Sequence, residues 1–228
     1  MTARAATIDD TTIAIGPHLA DAAAVTILVH GRGRSAAEMR DLAVRLNNPA
    51  VRFVMPAAPG GTWYPESFLA PLADNEPALS RSLALYAAIV DGLIAAGVRA
   101  ENIVLGGFSQ GACLTAEFVI RHPRPYGAVL IFTGGLIGPP GTRWPVQPAL
   151  KNVPVYLTGC AIDEWVPASR VEETARVLEA SGARVKVRIF DDRPHHVCEE
   201  EIAAAREILA WWGMSAAARG REAQRASH

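Results

Sequence analysis

The chain has 228 residues, half of them hydrophobic and one fifth charged, and this balance excludes a disordered or collagen-like protein. A chain of this length buries roughly 70% of its unfolded surface, and it contains no apolar run of about 18 residues that would predict a membrane span. The 22 basic residues against 23 acidic ones leave a net charge of −1 without a basic stripe, so nucleic acid is not a predicted partner.

Short β-branched runs alternate along the chain with longer amphipathic segments, a pattern typical of α/β proteins. The predicted strands are Val25–Val29, Val51–Met55, Ile103–Gly107, Ala128–Phe132, Val153–Thr158 and Val185–Phe190. A weaker alternation at Thr11–Ile15 predicts an earlier strand or a frayed terminus. Most of the runs are continuously apolar, as expected when helices cover both faces of a sheet. The pattern therefore predicts a mostly parallel central sheet with helices on both faces.

Amphipathic segments between the strands predict the helices. They are Ala36–Leu46, Leu79–Ala96, Ala112–Arg121, the segment from Ser169 to Gly182, and Glu199–Trp212. Two capping boxes are predicted at helix starts, Ser35 with Glu38 and Ser169 with Glu172. We expect residues 1–213 to form a single domain and residues 214–228, rich in Ala, Arg and small polar residues, to be a flexible C-terminal tail.

The cysteines and the N-terminus bear on the cellular compartment. Cys113, Cys160 and Cys198 are odd in number and share no CxxC spacing, which favours free thiols in a reducing compartment. The first ten residues contain no apolar stretch typical of a secretory signal. The sequence thus predicts a cytoplasmic protein.

The strongest chemical signal is the segment Gly107-Phe-Ser-Gln-Gly111, which follows a predicted strand and opens a predicted helix. A serine on such a turn is held in a strained conformation, with its hydroxyl above the sheet at the helix N-terminus. Ser109 is therefore the predicted nucleophile. A glycine-rich turn holding a structural serine is the alternative.

A serine hydroxyl needs a histidine base oriented by a carboxylate, and in this topology the two partners follow in the order Asp, then His. Asp163 comes after the strand Val153–Thr158, with Glu164 as the competing carboxylate. His195 comes after the last strand, and the adjacent His196 has the same chemistry. The three predicted catalytic residues thus follow three different predicted strands.

An oxyanion hole requires the amide after the nucleophile and a second amide from a loop after an early strand. The first is the amide of Gln110. The segment His30-Gly-Arg-Gly33 follows the first long strand, so the second is assigned to the amide of Arg32. We expect His30 to brace this loop. The Arg32 side chain is expected to be solvated, the alternative being contact with an acidic substrate group.

Two irregular segments rich in Gly and Pro, residues 56–77 and 133–152, follow predicted strands. Loops at the carboxyl ends of parallel strands line the ligand crevice, so their apolar residues are predicted to bind substrate. The predicted substrate-binding residues are Trp63, Tyr64, Phe68, Leu72, Leu136 and Ile137. An equally weighted alternative makes Trp63 and Trp144 surface-loop anchors packed against the core.

These motifs resemble the phospholipase/carboxylesterase family of α/β-hydrolases, which includes the acyl-protein thioesterases. The resemblance spans Val25 to Leu209 and rests on four motifs. They are the loop His30-Gly-Arg-Gly33, the strand-to-helix turn or elbow Gly107-Phe-Ser-Gln-Gly111, Asp163-Glu-Trp-Val-Pro167 and His195-His-Val-Cys-Glu199. It implies an α/β-hydrolase fold without a large lid domain, and it is compatible with a homodimer. In this family the catalytic histidine precedes a Ser or Cys by three positions, which selects His195. The family acid motif often has Pro where Glu164 stands, which keeps Glu164 open as the carboxylate.

The combined prediction is a serine hydrolase of small-molecule carboxylic esters with short to medium acyl chains, needing no metal or organic cofactor. A lysophospholipase or acyl-protein thioesterase on the same triad is the alternative. Other readings are less favoured. A metal hydrolase using His195, His196 and Cys198 lacks a typical ligand spacing. An enzyme like dienelactone hydrolase would have cysteine at the elbow, and a non-catalytic binding protein would not need all three triad residues.

Overall fold

Seven strands form one sheet in the computed structural model, which describes residues 12–214. The strands are β1 (Ile13–Ile15), β2 (Ala24–Val29), β3 (Val51–Met55), β4 (Ile103–Phe108), β5 (Ala128–Phe132), β6 (Pro154–Cys160) and β7 (Arg184–Phe190). Their order is β1-β3-β2-β4-β5-β6-β7, and every neighbouring pair is parallel except β1 with β3. The prediction of a mostly parallel sheet is confirmed.

Within residues 12–214, five α-helices cover both faces of this sheet. They are α1 (Ala36–Leu46), α2 (Ala78–Ala95), α3 (Gln110–Arg121), α4 (Ala168–Ala180) and α5 (Glu199–Gly213). Side chains from α2, α3 and α4 pack with alternate residues of the central strands into one hydrophobic core. Side chains from α1 and α5 pack with the other strand residues into a second core. Burial on both faces explains why the strands are continuously apolar in sequence.

Helix α2 is the one helix among residues 12–214 whose length and apolar composition would allow it to cross a membrane. Its Leu83, Tyr86 and Val90 are buried in the first core. Arg81 and Asp91 on the same helix are exposed. This distribution is that of an amphipathic helix packed on a sheet.

Both predicted capping boxes are absent from the structure. The Ser35 side chain makes no cap hydrogen bond, and the Glu38 carboxylate pairs with Arg34 at 3.3 Å. Ser169 lies inside α4, which begins at Ala168 after Pro167. Ser169 is thus past the N-cap position that a capping box requires, because the helix begins before it.

The sheet brings the predicted catalytic residues to one edge. Ser109 directly follows β4, Asp163 follows β6, and His195 follows β7. Because these strands are parallel, their carboxyl ends meet at the same edge. Between β5 and β6 the chain contains only one short 3-10 helix, Pro148–Leu150, so no additional domain covers this edge there. The tail predicted at residues 214–228 lies, except for its first residue, outside the described residues.

Candidate active site

Ser109 sits on a sharp turn between β4 and α3. Its backbone has φ 55° and ψ −119°, a left-handed conformation that is costly for any residue with a side chain. The Ser109 amide donates to the carbonyl of Phe132 at the end of β5 (3.0 Å), and the Ser109 carbonyl accepts from the Cys113 amide (3.0 Å). The turn is thus fixed by the neighbouring strand and by the first turn of α3.

The glycines of the elbow are required by close backbone contacts. A Cβ at Gly111 would collide with the carbonyl oxygens of Val29 and His30, and a Cβ at Gly107 would collide with the Gly111 carbonyl. These neighbours are backbone atoms, which cannot rotate away. The tight approach of α3 to the end of β2 therefore depends on glycine at 111, and the tight turn from β4 into α3 depends on glycine at 107.

Replacing Gly111 by alanine is expected to destabilise the fold by about 3 kcal/mol or more, because α3 must move away from β2. Denaturant unfolding measures this free energy. Gly213→Ala is the matched control: it lies at the end of α5, and its Cβ would come no nearer than 3.8 Å to the Asn48 side chain. We expect the control to stay within about 0.5 kcal/mol of the wild type. Equal stability of the two variants would contradict this account of the elbow.

A continuous line of hydrogen bonds joins Ser109, His195 and Asp163. His195 Nε2 lies 2.8 Å from Ser109 Oγ, and His195 Nδ1 lies 2.7 Å from Asp163 Oδ2. The Asp163 side chain is 1% exposed and that of His195 is 24% exposed. The two histidine nitrogens thus face the hydroxyl on one side and the carboxylate on the other, an arrangement suited to accept the hydroxyl proton.

The Asp163 carboxylate is oriented by its own loop. Its Oδ1 accepts hydrogen bonds from the amides of Trp165 (2.9 Å) and Val166 (2.8 Å), which leaves Oδ2 for His195. Burial alone would raise the pKa of Asp163, but the hydrogen bonds from His195, Val166 and Trp165 together hold this pKa below its ordinary value. The carboxylate therefore stays ionised at neutral pH.

The two competing residues lie apart from this line. Glu164 is exposed, and His196 is exposed as well. The His196 carbonyl accepts from Arg193, but its ring makes no hydrogen bond among residues 12–214. The geometry thus favours Asp163 over Glu164 and His195 over His196.

The amides assigned to the oxyanion hole are those of Arg32 and Gln110. Both residues line the cavity beside Ser109. Within the described range 12–214, neither amide donates a hydrogen bond. Gln110 is also the first residue of α3, so the positive end of the helix dipole lies beside Ser109. These two amides are free to stabilise a negative oxygen.

His30 braces the loop after β2. Its Nε2 accepts from the Ala58 amide (2.9 Å), so Nδ1 carries the proton and donates to the Gly31 carbonyl (2.7 Å). Burial lowers the pKa of His30, which keeps the ring neutral in this position. The His30 carbonyl accepts from Trp63 Nε1 (2.8 Å). The bracing role expected for His30 is what the geometry shows.

The sequence predicts a solvated Arg32 side chain, but the structure gives this side chain two backbone partners. Its guanidinium donates to the carbonyls of Pro65 (2.6 Å) and Glu66 (2.5 Å). The Gln110 side chain holds the same segment, because it accepts from the Trp63 amide and donates to the Tyr64 carbonyl. Arg32 and Gln110, which both line the cavity, thus also fix the loop that walls it, a role the sequence did not reveal.

A cavity of about 540 Å³ opens beside Ser109 and His195. Of the six predicted substrate-binding residues, Tyr64 and Phe68 line it, together with Arg34, Phe108 and Trp165. Cys113 also lines the cavity. Burial raises the pKa of Cys113 to about 12 and that of Tyr64 well above its ordinary value, so both groups are neutral in the wall.

The other four predicted substrate-binding residues lie off the cavity wall. Trp63, Leu136 and Ile137 are buried in the first core, and Leu72 packs against that core. The loop after β5 folds inward because α4 satisfies its backbone: Arg170 donates to the Leu136 carbonyl and Thr174 accepts from the Leu136 amide. The expectation that these residues contact substrate is corrected to a core-packing role. For Trp63 the core-anchor alternative holds.

No group of three or more His, Cys, Asp or Glu side chains within residues 12–214 is arranged to hold a metal ion. The alternative of a metal hydrolase would require His195, His196 and Cys198 to form such a group. His195 instead has both ring nitrogens in contact with Ser109 and Asp163.

Comparison with known proteins gives consistent matches. A sequence model of the phospholipase/carboxylesterase family matches residues 11–213. Acyl-protein thioesterase 1 of Eremothecium gossypii is 29% identical over 192 residues, covering 75% of this chain and 80% of that protein. A protein of Oryza sativa subsp. japonica, named a probable carboxylesterase, is 31% identical over 199 residues, covering 79% of this chain and 85% of its own.

A solved structure extends the likeness to three dimensions. The phospholipase/carboxylesterase of Dyadobacter fermentans is 37% identical, with a TM-score of 0.83 over 87% of this chain and 96% of that one. The fold is accordingly the predicted α/β-hydrolase fold, and the protein is a hydrolase that acts on esters. On the strength of the family match over nearly its whole length, the chain belongs to the phospholipase/carboxylesterase family.

Proposed function

We propose that the protein cleaves small-molecule carboxylic esters through an acyl-enzyme on Ser109, with His195 as general base and acid and Asp163 as its orienting carboxylate. The observation that carries this proposal is the unbroken line from Asp163 Oδ2 through the imidazole to Ser109 Oγ. A base within hydrogen-bond reach of the hydroxyl is the geometric requirement for activating it.

The reaction follows from this geometry in two halves. Ser109 Oγ attacks the acyl carbon while His195 Nε2 takes its proton, and the carbonyl oxygen becomes an oxyanion held by the amides of Arg32 and Gln110. The C–O bond to the alcohol breaks as His195 returns the proton to the leaving oxygen. Water then attacks the acyl-enzyme with the same base, and the carboxylic acid departs with Ser109 restored.

The cavity supports a preference for short to medium acyl chains. A space of about 540 Å³ is within the range that drug-sized ligands fill. Phe68, Phe108 and Trp165 give it apolar walls, and Trp165 extends outward with 68% of its surface exposed. A lysophospholipid or a thioester could be cleaved by the same triad, and these remain the alternative substrates.

Trp165→Ala is expected to lower kcat/KM for medium-chain esters by about tenfold and to leave acetate esters nearly unchanged. The indole surface that a longer chain would cover corresponds to roughly two methylene groups at about 0.8 kcal/mol each. The amide of residue 165 that supports Asp163 is kept by alanine. Hydrolysis of p-nitrophenyl esters of increasing chain length measures the effect, with Trp211→Ala as an exposed-tryptophan control on α5. An equal loss for all chain lengths would remove Trp165 from substrate binding.

Covalent labelling by a fluorophosphonate probe, followed by peptide mapping, tests the proposed function. We expect the label on Ser109 in the wild type, at a rate strongly reduced in His195→Ala and little changed in His196→Ala. Labelling at another residue, or a greater loss in His196→Ala, would refute the assigned roles. Absence of labelling together with tight ester binding would support the non-catalytic binding protein instead.

Two further proposals concern the whole chain. We propose that residues 1–213 act as one domain, since β1 through α5 all pack on one sheet. We also propose a cytoplasmic location. It is supported by the thiols of Cys113, Cys160 and Cys198, all of which are free.

A further inference from the structure

Four buried side chains and one backbone amide form a closed ring of hydrogen bonds beneath the loop that carries His195. The Thr133 amide donates to Thr158 Oγ1 (2.9 Å), and Thr158 Oγ1 donates to Glu201 Oε1. Arg193 Nη2 donates to the same Glu201 oxygen (3.1 Å) and to Thr133 Oγ1, which closes the ring. The ring joins the ends of β5 and β6 to the first turn of α5.

The ring also holds the backbone on both sides of His195. Arg193 Nη1 donates to the carbonyls of His196 (2.6 Å) and Pro194 (3.2 Å). Glu201 Oε2 accepts from the Cys198 amide (2.8 Å), which forms a capping box at the start of α5. The loop that presents His195 is therefore held before and after that residue by one arginine and one glutamate.

The opposite side of the ring reaches the nucleophile. Thr133 directly follows Phe132, whose carbonyl accepts the hydrogen bond from the Ser109 amide. Thr133 itself has a positive φ of 54°, an unfavourable conformation for a β-branched residue. A strained residue at this point persists only where its surroundings hold it. The ring thus connects the strand end that fixes Ser109 to the loop that fixes His195.

Stability alone is a weak explanation for this arrangement. The side chains of Arg193 and Glu201 are 7% and 0% exposed, and burying such a pair costs desolvation that its attraction often only offsets. Arg193 Nε is buried and has no hydrogen-bond partner among the described residues. The four residues do not line the cavity, so none of them contacts substrate directly.

We propose that the ring of Thr133, Thr158, Arg193 and Glu201 is a positioning device that holds the His195 imidazole and so sets both its distances, from Nε2 to Ser109 Oγ and from Nδ1 to Asp163 Oδ2. The proposal rests on the proposed function for its effect on turnover. Proton transfer is sensitive to these distances, and a displacement of about 1 Å can cost on the order of a hundredfold in rate. These residues are positioning residues that act through His195.

Thr158→Val tests the proposal, because valine keeps the shape and removes the hydroxyl that closes the ring. Thr26→Val is a matched control. Thr26 is as completely buried as Thr158 and lies on β2 between Ala24 and Leu28, which face the second core, and its hydroxyl has no hydrogen-bond partner among the described residues. Arg193→Lys is a second variant that keeps the positive charge but offers a single nitrogen in place of the guanidinium fork.

We expect kcat, normalised to folded protein, to fall tenfold to a hundredfold in Thr158→Val and Arg193→Lys, with KM within about twofold of the wild type. Thr26→Val should keep the wild-type kcat. If Thr158→Val and Arg193→Lys match the control, the positioning role is overturned. A loss of folded protein without a loss of normalised kcat also overturns it, because the ring would then serve stability only.

A readout without turnover separates this proposal from the proposed function. The imidazole proton shared between His195 Nδ1 and Asp163 is expected as a downfield proton resonance that disappears in His195→Ala. In Thr158→Val it should broaden by exchange with water, and in Thr26→Val it should not. That result supports positioning even if Ser109 proves not to be the nucleophile. An unchanged resonance in Thr158→Val overturns the positioning role even if Ser109 is the nucleophile.

Discussion

Replacement of Ser109 by alanine is expected to lower kcat by about 10⁵-fold or more while leaving the fold intact. Only the Oγ atom is lost, and with it the bond that is to be formed with the acyl carbon. The contacts that fix the turn belong to the backbone, namely those to Phe132 and Cys113, and alanine keeps them. Both serine and alanine carry a Cβ at the same positive φ, so the strain of the turn is unchanged. The expected change in unfolding free energy is within about 1 kcal/mol.

Ser181→Ala is a control for which we expect the opposite result, a loss of stability without a loss of kcat. Ser181 is buried at the end of α4, where its hydroxyl donates to the Val177 carbonyl and accepts from the Gln147 amide. Its loss should cost about 1 kcal/mol of stability and leave kcat unchanged. Ester hydrolysis and denaturant unfolding of both variants separate catalysis from folding. Turnover at the wild-type rate in Ser109→Ala would eliminate the acyl-enzyme mechanism.

The strands and the order of the candidate catalytic residues along the chain could be predicted because both depend on local sequence signals. Continuous apolar runs mark strands that are buried on both faces, and β3 and β5 have the predicted bounds. The elbow at Ser109 could be predicted from its glycines, because Gly107 and Gly111 make backbone contacts that leave no room for a side chain. The positions of Asp163 and His195 follow from parallel topology, since each follows a strand that ends at the same edge.

Other features depend on contacts between segments far apart in sequence. Leu136 and Ile137 follow a strand, as cavity residues do, but Arg170 and Thr174 of α4 bind the Leu136 backbone and draw the loop into the core. The ring under His195 was missed for the same reason. Arg193 stands in what reads as a polar turn and Glu201 in an acidic helix start, and only the fold places both beside Thr133 and Thr158.

Asp163→Asn is the most informative single change after Ser109→Ala, because the structure fixes which way the new amide must point. Asp163 Oδ1 accepts from the amides of Trp165 and Val166, so the carbonyl oxygen of asparagine takes that position. The NH₂ group then faces His195 Nδ1, to which it donates. Nδ1 must therefore be unprotonated, and the proton of the neutral ring moves to Nε2, where it blocks acceptance of the Ser109 proton.

The expected loss in kcat is about 10⁴-fold, with the fold retained because aspartate and asparagine have nearly the same shape. Steady-state hydrolysis of a p-nitrophenyl ester, with folding checked by denaturant unfolding, measures it. Glu164→Gln makes the same chemical change one residue later, on a side chain that is exposed, and should keep near wild-type kcat. A larger loss in Glu164→Gln would move the orienting carboxylate to that residue. A loss below about tenfold in Asp163→Asn would mean that the tautomer of His195 is set by something other than this carboxylate.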